Sequence, residues 1–427
     1  RARLRSRTIA QLLYLARRPG TAAAIVFGAA FLPTATIAAD AIQLSDIAAD
    51  NNLGGFLIDG VAGFAFTGAS VAGAGDVNGD GLSDLVIGAT SRTVNRPYSG
   101  AVYVIFGKNG GQSVDLNSVE AGTGAGFVIF GSANYDGIGT SVAIAGDLNQ
   151  DGLADILIGA PNADPNGSTS GSAYVVFGKT NTTPVDLADV EAGTGGFAMH
   201  GAAEKDRAGT SCAGLGDIDG DGRDDIVVGA YGADPNGSYS GTTYVVFGKS
   251  SGTPLELANV AMDDDATGFA IFGGAAGDRS GVSVSIVGDM NQDGLDDLVV
   301  GAPYANTIDG AAYVVFGKAG GASVQLSDVA MDANNNGFAI FSDADNVRAG
   351  YSVSGAGDVD GDGRVDVIVG AKFEDYAAGK SYVIFGRTTG TSVNASALAD
   401  ENNTTGFAIH GANSTDQSGF SVAGAGD

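Results

Sequence analysis

The chain is poor in the residues on which many secreted proteins and enzymes depend. Among its 427 residues there are one cysteine, two histidines and no tryptophan. The single cysteine, Cys212, excludes an intrachain disulfide, so an exported form of the protein must be stabilised by other means. Helical hydrophobic spacing is not sustained anywhere after residue 40, which argues against a largely helical fold.

Basic residues are also scarce, and they are unevenly placed. The chain has 21 Lys and Arg against 49 Asp and Glu, which gives a net charge of −28. Residues 1–39 contain six arginines and no acid, so the excess of acids is larger still in the remainder. A body this acidic disfavours binding to nucleic acids and to anionic membranes, and it favours cations.

Residues 1–41 are predicted to form a secretory signal peptide. A basic start precedes the apolar stretch "TAAAIVFGAAFL", and the small residues of "ATIAADA" then offer cleavage near Ala39 or Ala41. A membrane anchor is the alternative, which Pro33 and the many alanines disfavour. We therefore expect a secreted or cell-surface protein with no membrane insertion after cleavage. The disulfide-free, Gly- and Asp-rich composition favours a bacterial protein.

What the chain does contain is 70 glycines and an acidic loop that recurs. The loop "DVNGDGLSD" begins at residue 76, and related loops begin at 147, 217, 289 and 358. Asp427 stands where a sixth loop would start. A Gly-Phe pair, an "IVVGA"-like run, an "AYVVFGK"-like run and an "SVDLNSVE"-like segment keep the same step of about 70 residues, a spacing typical of repeat architectures.

Each repeat holds four short runs rich in Val, Ile, Phe and Tyr, bounded by glycines. In the second repeat these runs are residues 141–146, 155–160, 172–178 and 197–201. Four strands per repeat predict an all-β fold, a β-propeller of four-stranded blades with five full repeats and a partial sixth. A parallel β-helix is the alternative, but its repeats are much shorter.

The recurring segments resemble FG-GAP repeats, the units of the integrin α-chain propeller and of many bacterial surface proteins. The Gly-Phe pairs, the "GxSVAGAGD" approach to the loop, and "GAP" in residues 158–161 and 300–303 carry the resemblance. Three copies depart from it, with "GAT", "GAY" and "GAK". The resemblance covers residues 42–427 and implies a seven-bladed ring that continues beyond the last residue here.

The spacing of the acidic loop predicts a metal site. Positions 1, 3, 5 and 9 carry oxygen-bearing side chains, position 6 is always glycine, and the carbonyl of position 7 can add another oxygen. Hard divalent cations require six to eight such oxygens, and glycine permits the sharp bend. The ligands predicted in the five loops are Asp76, Asn78, Asp80, Leu82 and Asp84; Asp147, Asn149, Asp151, Leu153 and Asp155; Asp217, Asp219, Asp221, Arg223 and Asp225; Asp289, Asn291, Asp293, Leu295 and Asp297; and Asp358, Asp360, Asp362, Arg364 and Asp366.

We expect about five Ca²⁺ ions, one in each complete loop, joining the first two strands of a blade. The loop differs from an EF-hand, which needs Glu at position 12, where these repeats have Ile or Val. The resemblance implies the same ion, because the matching integrin loops bind Ca²⁺. Mg²⁺ is the less suitable ion, and a metal-free Asp-Gly turn is the alternative. The neighbouring Asp224 and Asp296 are expected to be solvated.

We expect a binding or adhesion module rather than an enzyme. His200 and His410 occupy one repeat position where other copies have Phe, and Ser141 belongs to the repeated scaffold. A protein or glycan ligand is expected on the face opposite the calcium loops, where Lys205, Arg207, Arg279 and Arg348 are candidate contacts. The "SVDLNSVE" segments are expected on the calcium side. The alternative function is a non-catalytic accessory propeller of a larger extracellular hydrolase, such as a phospholipase-type enzyme.

Overall fold

The computed structural model describes residues 23–27, 55–61, 65–262, 267–331, 336–342, 346–400 and 403–424. Its fold is a β-propeller with five consecutive four-stranded antiparallel blades, preceded by β1 (Ala23–Phe27) and β2 (Gly55–Asp59). Blade 1 and its linker comprise β3 (Thr67–Gly75), β4 (Asp84–Ala89), β5 (Ala101–Ile105), β6 (Val114–Asp115), α1 (Leu116–Glu120) and β7 (Gly126–Phe130). Blade 2 comprises β8 (Ser141–Gly146), β9 (Asp155–Ala160), β10 (Ser172–Val176), β11 (Val185–Asp186), α2 (Leu187–Glu191) and β12 (Gly196–His200).

The next three repeats have the same order. Blade 3 comprises β13 (Ser211–Gly216), β14 (Asp225–Ala230), β15 (Thr242–Val246), β16 (Leu255–Glu256), α3 (Leu257–Val260) and β17 (Gly268–Phe272). Blade 4 comprises β18 (Ser283–Gly288), β19 (Asp297–Ala302), α4 (Ala305–Ile308), β20 (Ala311–Val315), β21 (Val324–Gln325), α5 (Leu326–Ala330) and β22 (Gly337–Phe341). Blade 5 comprises β23 (Ala349–Gly357), β24 (Asp366–Ala371), α6 (Glu374–Ala377), β25 (Lys380–Ile384), β26 (Val393–Asn394), a 3₁₀ helix (Ala395–Ala399) and β27 (Gly406–His410).

The strand predictions for the second repeat are confirmed to within two residues. β8, β9, β10 and β12 fall on the four apolar runs and pair with one another in antiparallel fashion. Every residue of β9 and β10 is buried, because the neighbouring blades cover both faces of each sheet. A continuous apolar run, rather than an alternating one, is what such a doubly covered strand requires.

Hydrophobic clusters lie between successive blades rather than inside one sheet. The cluster between blades 2 and 3, for example, unites Phe197 and Leu157 with Ile226 and Val228, all fully buried. Corresponding clusters join the other neighbouring blades. A single sheet therefore cannot form this core alone, and the repeat folds as part of an array.

Each blade junction also contains a repeated hydrogen bond. The hydroxyl of Ser141 donates to the carbonyl oxygen of Gly209 in the next blade, at 3.0 Å. Gly159 faces the same carbonyl so closely that an added Cβ would lie 1.9 Å from it. The expectation that Ser141 is part of the scaffold is thus confirmed. The equivalent serine hydroxyls are those of Ser70, Ser211, Ser283 and Ser352.

The "SVDLNSVE" segments take a course that their sequence does not predict. Each contributes a two-residue strand that pairs in parallel with the outer strand of the preceding blade, as β11 pairs with β7. A helix of four or five residues follows, capped in α2 by the side chain of Asp186. The segment thereby reaches the end opposite the acidic loops, where Asn166 donates to Glu256 at 2.7 Å. The expectation that these segments lie on the calcium side is wrong, because parallel pairing carries them along the blade edge.

Part of the predicted signal peptide forms a strand. β1 pairs with β2 in antiparallel fashion, and Phe27 lies opposite Gly55 as Ile105 lies opposite Gly126 in blade 1. The rest of residues 1–41 and Asp427 lie outside the described residues, and cleavage of a signal stays a prediction. In the part of the chain that the structure describes, no helix is both long and apolar enough to cross a bilayer.

Candidate metal centres

The five acidic loops connect the first and second strands of the five blades. Loop 1, for example, runs from Asp76, just after β3, to Asp84, the first residue of β4. The glycine at position 6 has a left-handed backbone in every loop, with φ of +84° at Gly81 and +94° at Gly294. The prediction that glycine is needed for the bend at position 6 is confirmed, since other residues adopt this conformation only with strain.

The carboxylate at position 1 organises the loop around itself. In loop 3, Oδ1 of Asp217 accepts N–H groups from Gly220 at 2.7 Å and Asp221 at 3.0 Å. Its Oδ2 accepts the N–H of Gly222 at 2.9 Å. The backbone is thereby curled around the carboxylate, and the side chains at positions 3 and 5 are held beside it.

The carboxylate at position 9 is fixed from two sides in the blade interior. Asp225 is fully buried, its Oδ2 accepts the N–H of Ile218 at 2.9 Å, and its Oδ1 accepts that of Gly248 at 2.8 Å. Because Gly248 follows the third strand, this side chain ties three strands together. The other four loops have the same pair of hydrogen bonds at Asp84, Asp155, Asp297 and Asp366.

Burial makes a charge at position 9 costly when no cation is bound. Desolvation raises the pKa of Asp155, Asp225 and Asp297 to about 7, and it also raises that of Asp84 and Asp366. Backbone N–H donors oppose the shift, while the acids of the same loop add to it. A cation beside these groups would favour their charged form.

The loop carboxylates converge. Carboxylate oxygens of Asp217, Asp219 and Asp225 lie within 4.8 Å of one another, and those of Asp358, Asp360 and Asp366 do so as well. The other three loops have Asn at position 3, whose amide oxygen accepts the N–H of position 5 as Oδ1 of Asp219 does in loop 3. The donors in all five loops are oxygens, without imidazole or thiolate, and such a set fits a hard divalent cation rather than zinc or copper.

Two acids that were expected to be solvated instead lie between loops. Asp224 is half-buried, and its Oδ2 accepts the N–H of Asp147 from the preceding loop at 2.8 Å. Asp296 is half-buried beside Gly216, where an added Cβ would lie 2.3 Å from its Oδ2. Desolvation and the charges of neighbouring acids raise the pKa of Asp296. The expectation fails because position 8 points at the neighbouring blade, a direction that the sequence of one loop does not reveal.

Gln150 is a second contact between loops that sequence analysis did not single out. Its side-chain amide donates to the carbonyl oxygen of Gly222 in the next loop, at 3.1 Å. Gln292 makes the equivalent contact with Gly363 at 3.3 Å. The signal was present in the sequence, because only these two loops have Gln rather than Gly at position 4.

The remaining predicted residues lie away from the loops. Lys205 is exposed and pairs with its neighbour Glu204 at 2.9 Å. Arg279 and Arg348 stand over aromatic rings. Nδ1 of His200 lies 3.3 Å from the hydroxyl of Ser172. The two residues are opposite each other in the antiparallel pair of β10 and β12.

The segments that match a known family coincide with the blades. The sequence model of the FG-GAP repeat matches residues 67–105, 138–176, 208–246, 280–315 and 349–384. Each match ends at the last residue of the third strand of a blade, and each contains one acidic loop. The chain is an FG-GAP repeat protein. The FG-GAP repeat thus corresponds to three strands of a blade, and the fourth comes from the residues between matches.

Several characterised proteins are similar to this FG-GAP chain. Integrin alpha pat-2 of Caenorhabditis elegans is 32% identical over 253 residues, which cover 57% of this chain and 18% of that protein. Integrin alpha-IIb of Homo sapiens is 31% identical over 169 residues, 37% of this chain and 14% of that protein. Phosphatidylinositol-glycan-specific phospholipase D of Mus musculus is 30% identical over 162 residues, which cover 37% of this chain and 17% of that protein. The chain spans less than a fifth of the length of each of these relatives.

Proposed function

We propose that this protein is an exported, calcium-stabilised FG-GAP propeller that binds a protein or glycan through the face opposite its acidic loops. The observation that carries the calcium part is the convergence of carboxylate oxygens around a buried, doubly hydrogen-bonded aspartate, as at Asp217, Asp219 and Asp225. Carbonyl oxygens at position 7 complete the proposed shell. Such loops of several protein oxygens suit Ca²⁺ better than Mg²⁺, which demands near-ideal octahedral geometry.

The role proposed for the ions is stabilisation. Extracellular modules bind Ca²⁺ with dissociation constants of about 10⁻⁴–10⁻³ M, so each loop would add about 1 kcal/mol at millimolar calcium. Five ions together would then replace the disulfides that the chain cannot form. They would also offset the mutual repulsion of the three to five acids in each loop.

Thermal unfolding with millimolar Ca²⁺, Mg²⁺ or a chelator tests this proposal. We expect a rise in the unfolding temperature with Ca²⁺, a smaller one with Mg²⁺, and loss of most of the calcium effect in the triple variant Asp76→Ala, Asp217→Ala and Asp289→Ala. The matched control carries Asp115→Ala, Asp189→Ala and Asp328→Ala, which removes the same charge from the linkers. An unchanged unfolding temperature on adding Ca²⁺ would show that the loops are metal-free turns.

The binding role is supported by the similarity to integrin α chains and by the character of the loops on the opposite face. Several of those loops differ, as "PNADPNGSTSG" at 161–171 and "PYANTIDG" at 303–310 illustrate, whereas residues 231–241 nearly repeat residues 161–171. We infer a non-catalytic module, since His200 lies in a repeat position and has a strand-pair neighbour, Ser172, as its contact. A glycan array and capture of surface proteins, both at millimolar Ca²⁺, would identify the ligand class.

An accessory propeller within an extracellular hydrolase is the second candidate, favoured by the similarity to a phospholipase D. The sequence of the whole gene distinguishes the two, because a hydrolase domain in the same polypeptide would support the second. Export is tested separately by N-terminal sequencing of the secreted protein. We expect the mature chain to begin at residue 40 or 42, and a start that retains β1 would contradict the signal peptide.

A further inference from the structure

Ten of the fifteen Lys and Arg residues that the structure describes have a carboxylate partner or a repeated structural role. Five of these cations form ion pairs with Asp or Glu, namely Arg92, Arg96, Lys205, Arg364 and Lys380. Another five cations fill one repeat position, over the Phe of a preceding strand, namely Lys108, Lys179, Lys249, Lys318 and Arg387. Arg279 and Arg348 belong to neither group, and neither forms an ion pair with a described carboxylate.

These two arginines contact the ring of the same tyrosine, Tyr304. The guanidinium carbon of Arg279 lies 4.4 Å from the ring centroid of Tyr304, and that of Arg348 lies 4.7 Å from the same centroid. The two guanidinium groups are therefore separated by no more than the sum of these distances. Tyr239 and Phe373 flank the group at 5.6 Å and 4.7 Å. Both arginines are half-buried, so their stems are fixed while part of each side chain stays accessible.

Tyr304 also lines a cleft. The cleft has a volume of about 700 Å³, within the range of small-molecule sites. Its polar lining includes Asn306, Thr307 and Ser327, and the exposed Met331 adds an apolar wall. The one acid in the lining, Asp278, is buried, and its Oδ2 accepts the N–H of Ala275. Neither arginine lines the cleft, and the ring of Tyr304 connects its hydroxyl and amide groups to the pair of cations.

We infer that Arg279, Arg348 and this cleft bind a polysaccharide that carries carboxylates on its sugars. Guanidinium groups match carboxylates in planar, bidentate hydrogen bonds, and the aromatic rings already fix their positions. The hydroxyl and amide side chains of the cleft suit sugar hydroxyls. An acidic polypeptide fits less well, since it offers few hydroxyl groups to this lining.

This inference rests on the proposed binding function and is tested with oligogalacturonates, which are short uronic acid polymers. Binding is measured by calorimetry at millimolar Ca²⁺, with a neutral glucose oligomer of equal length and poly-glutamate as comparisons. We expect the oligogalacturonate alone to bind, more weakly as salt is added, because exposed charge pairs are screened. The variant Arg279→Gln with Arg348→Gln should lose affinity by about tenfold or more.

The matched control is Lys179→Gln with Lys249→Gln, which removes two cations near the acidic loops and should change affinity by less than about twofold. Calcium-dependent unfolding of each variant verifies that it is folded. Equal affinity of the arginine variant and the control would overturn the inference, as would binding of poly-glutamate in preference to the uronate. If a glycan array finds only neutral ligands, the binding function stands and the inference fails; if no ligand of any class binds, both fail.

Discussion

The two ends of the blades hold buried aspartates in very different surroundings. At the loop end, Asp225 is buried with two backbone N–H donors, and two further carboxylates of its loop converge on it. At the opposite end, Asp206 is also buried, but it accepts one N–H, from Ala203 at 2.8 Å. The loop end repeats almost unchanged in five blades, whereas the opposite end varies. This contrast is what we expect if the proposed cations constrain the loop end and leave the opposite end free to diverge.

The largest expected effect breaks the loop end. Asp225→Ala removes the acceptor of two buried N–H groups and should destabilise the fold by about 4 kcal/mol, even without calcium. Urea unfolding with and without Ca²⁺ measures this loss. Asp219→Ala is the matched control in the same loop, and it should cost about 1 kcal/mol, mainly in the presence of Ca²⁺. Equal losses for the two variants would contradict the special role of position 9.

A second effect concerns the junction between neighbouring blades, which lies between the loop end and the opposite end. Gly159→Ala would place a methyl group 1.9 Å from the carbonyl oxygen of Gly209 and 2.3 Å from the hydroxyl of Ser141. Forcing these blades apart should cost about 3 kcal/mol. The control is Gly110→Ala, where no atom lies within 4 Å of the added Cβ, and its unfolding midpoint should be unchanged. A tolerated Gly159→Ala would mean that the junction adjusts more easily than its contacts indicate.

The smallest effect is a pH dependence at the opposite end. Desolvation raises the pKa of Asp206 from 3.8 to about 6 in the folded protein. The folded protein therefore favours the protonated side chain. This contribution to the free energy of unfolding is fully present below pH 3.8 and is lost as pH rises through 6. Asp206→Asn should remove this dependence. The free energy of unfolding of the variant, relative to that of the parent, should therefore rise by about 2 kcal/mol from pH 4 to pH 7. Urea unfolding across this range measures the difference.

Calcium provides the control for that measurement. The difference between Asp206→Asn and the parent should be the same with Ca²⁺ and with chelator, because Asp206 is not one of the loop acids. A difference that disappears on adding Ca²⁺ would couple the two ends of the blade and remove the contrast between them. A difference with no pH dependence would show that Asp206 is not held in its neutral form.

The repeat was predictable because its signals are local. Alternation of glycines with Val- and Ile-rich runs marked β8, β9, β10 and β12, and glycine at position 6 of each loop predicted the left-handed bend. The spacing of the loop acids placed their oxygens in one turn. These features depend on residues that are close together in the chain, so their consequences do not require a knowledge of the fold.

The contacts between repeats were not predictable in the same way. Position 8 of the loop was expected to be solvated, yet Asp224 contacts the backbone of Asp147, 77 residues earlier in the chain. The linkers were placed on the wrong side, since parallel pairing of β11 with β7 carries them along the edge of the blade. Such outcomes depend on how one blade faces the next, which the sequence of one repeat does not contain.

The sequence by itself determined the blade, the loop and the acidic character of the protein, because these follow from composition and from spacing within about 70 residues. The tertiary structure alone decided which side chains from different repeats meet. It brought Arg279 and Arg348, from two repeats, to the ring of Tyr304. The physical reason is that a blade buries its faces only against its neighbours, so the inter-blade geometry is set by packing across repeats rather than by local preference.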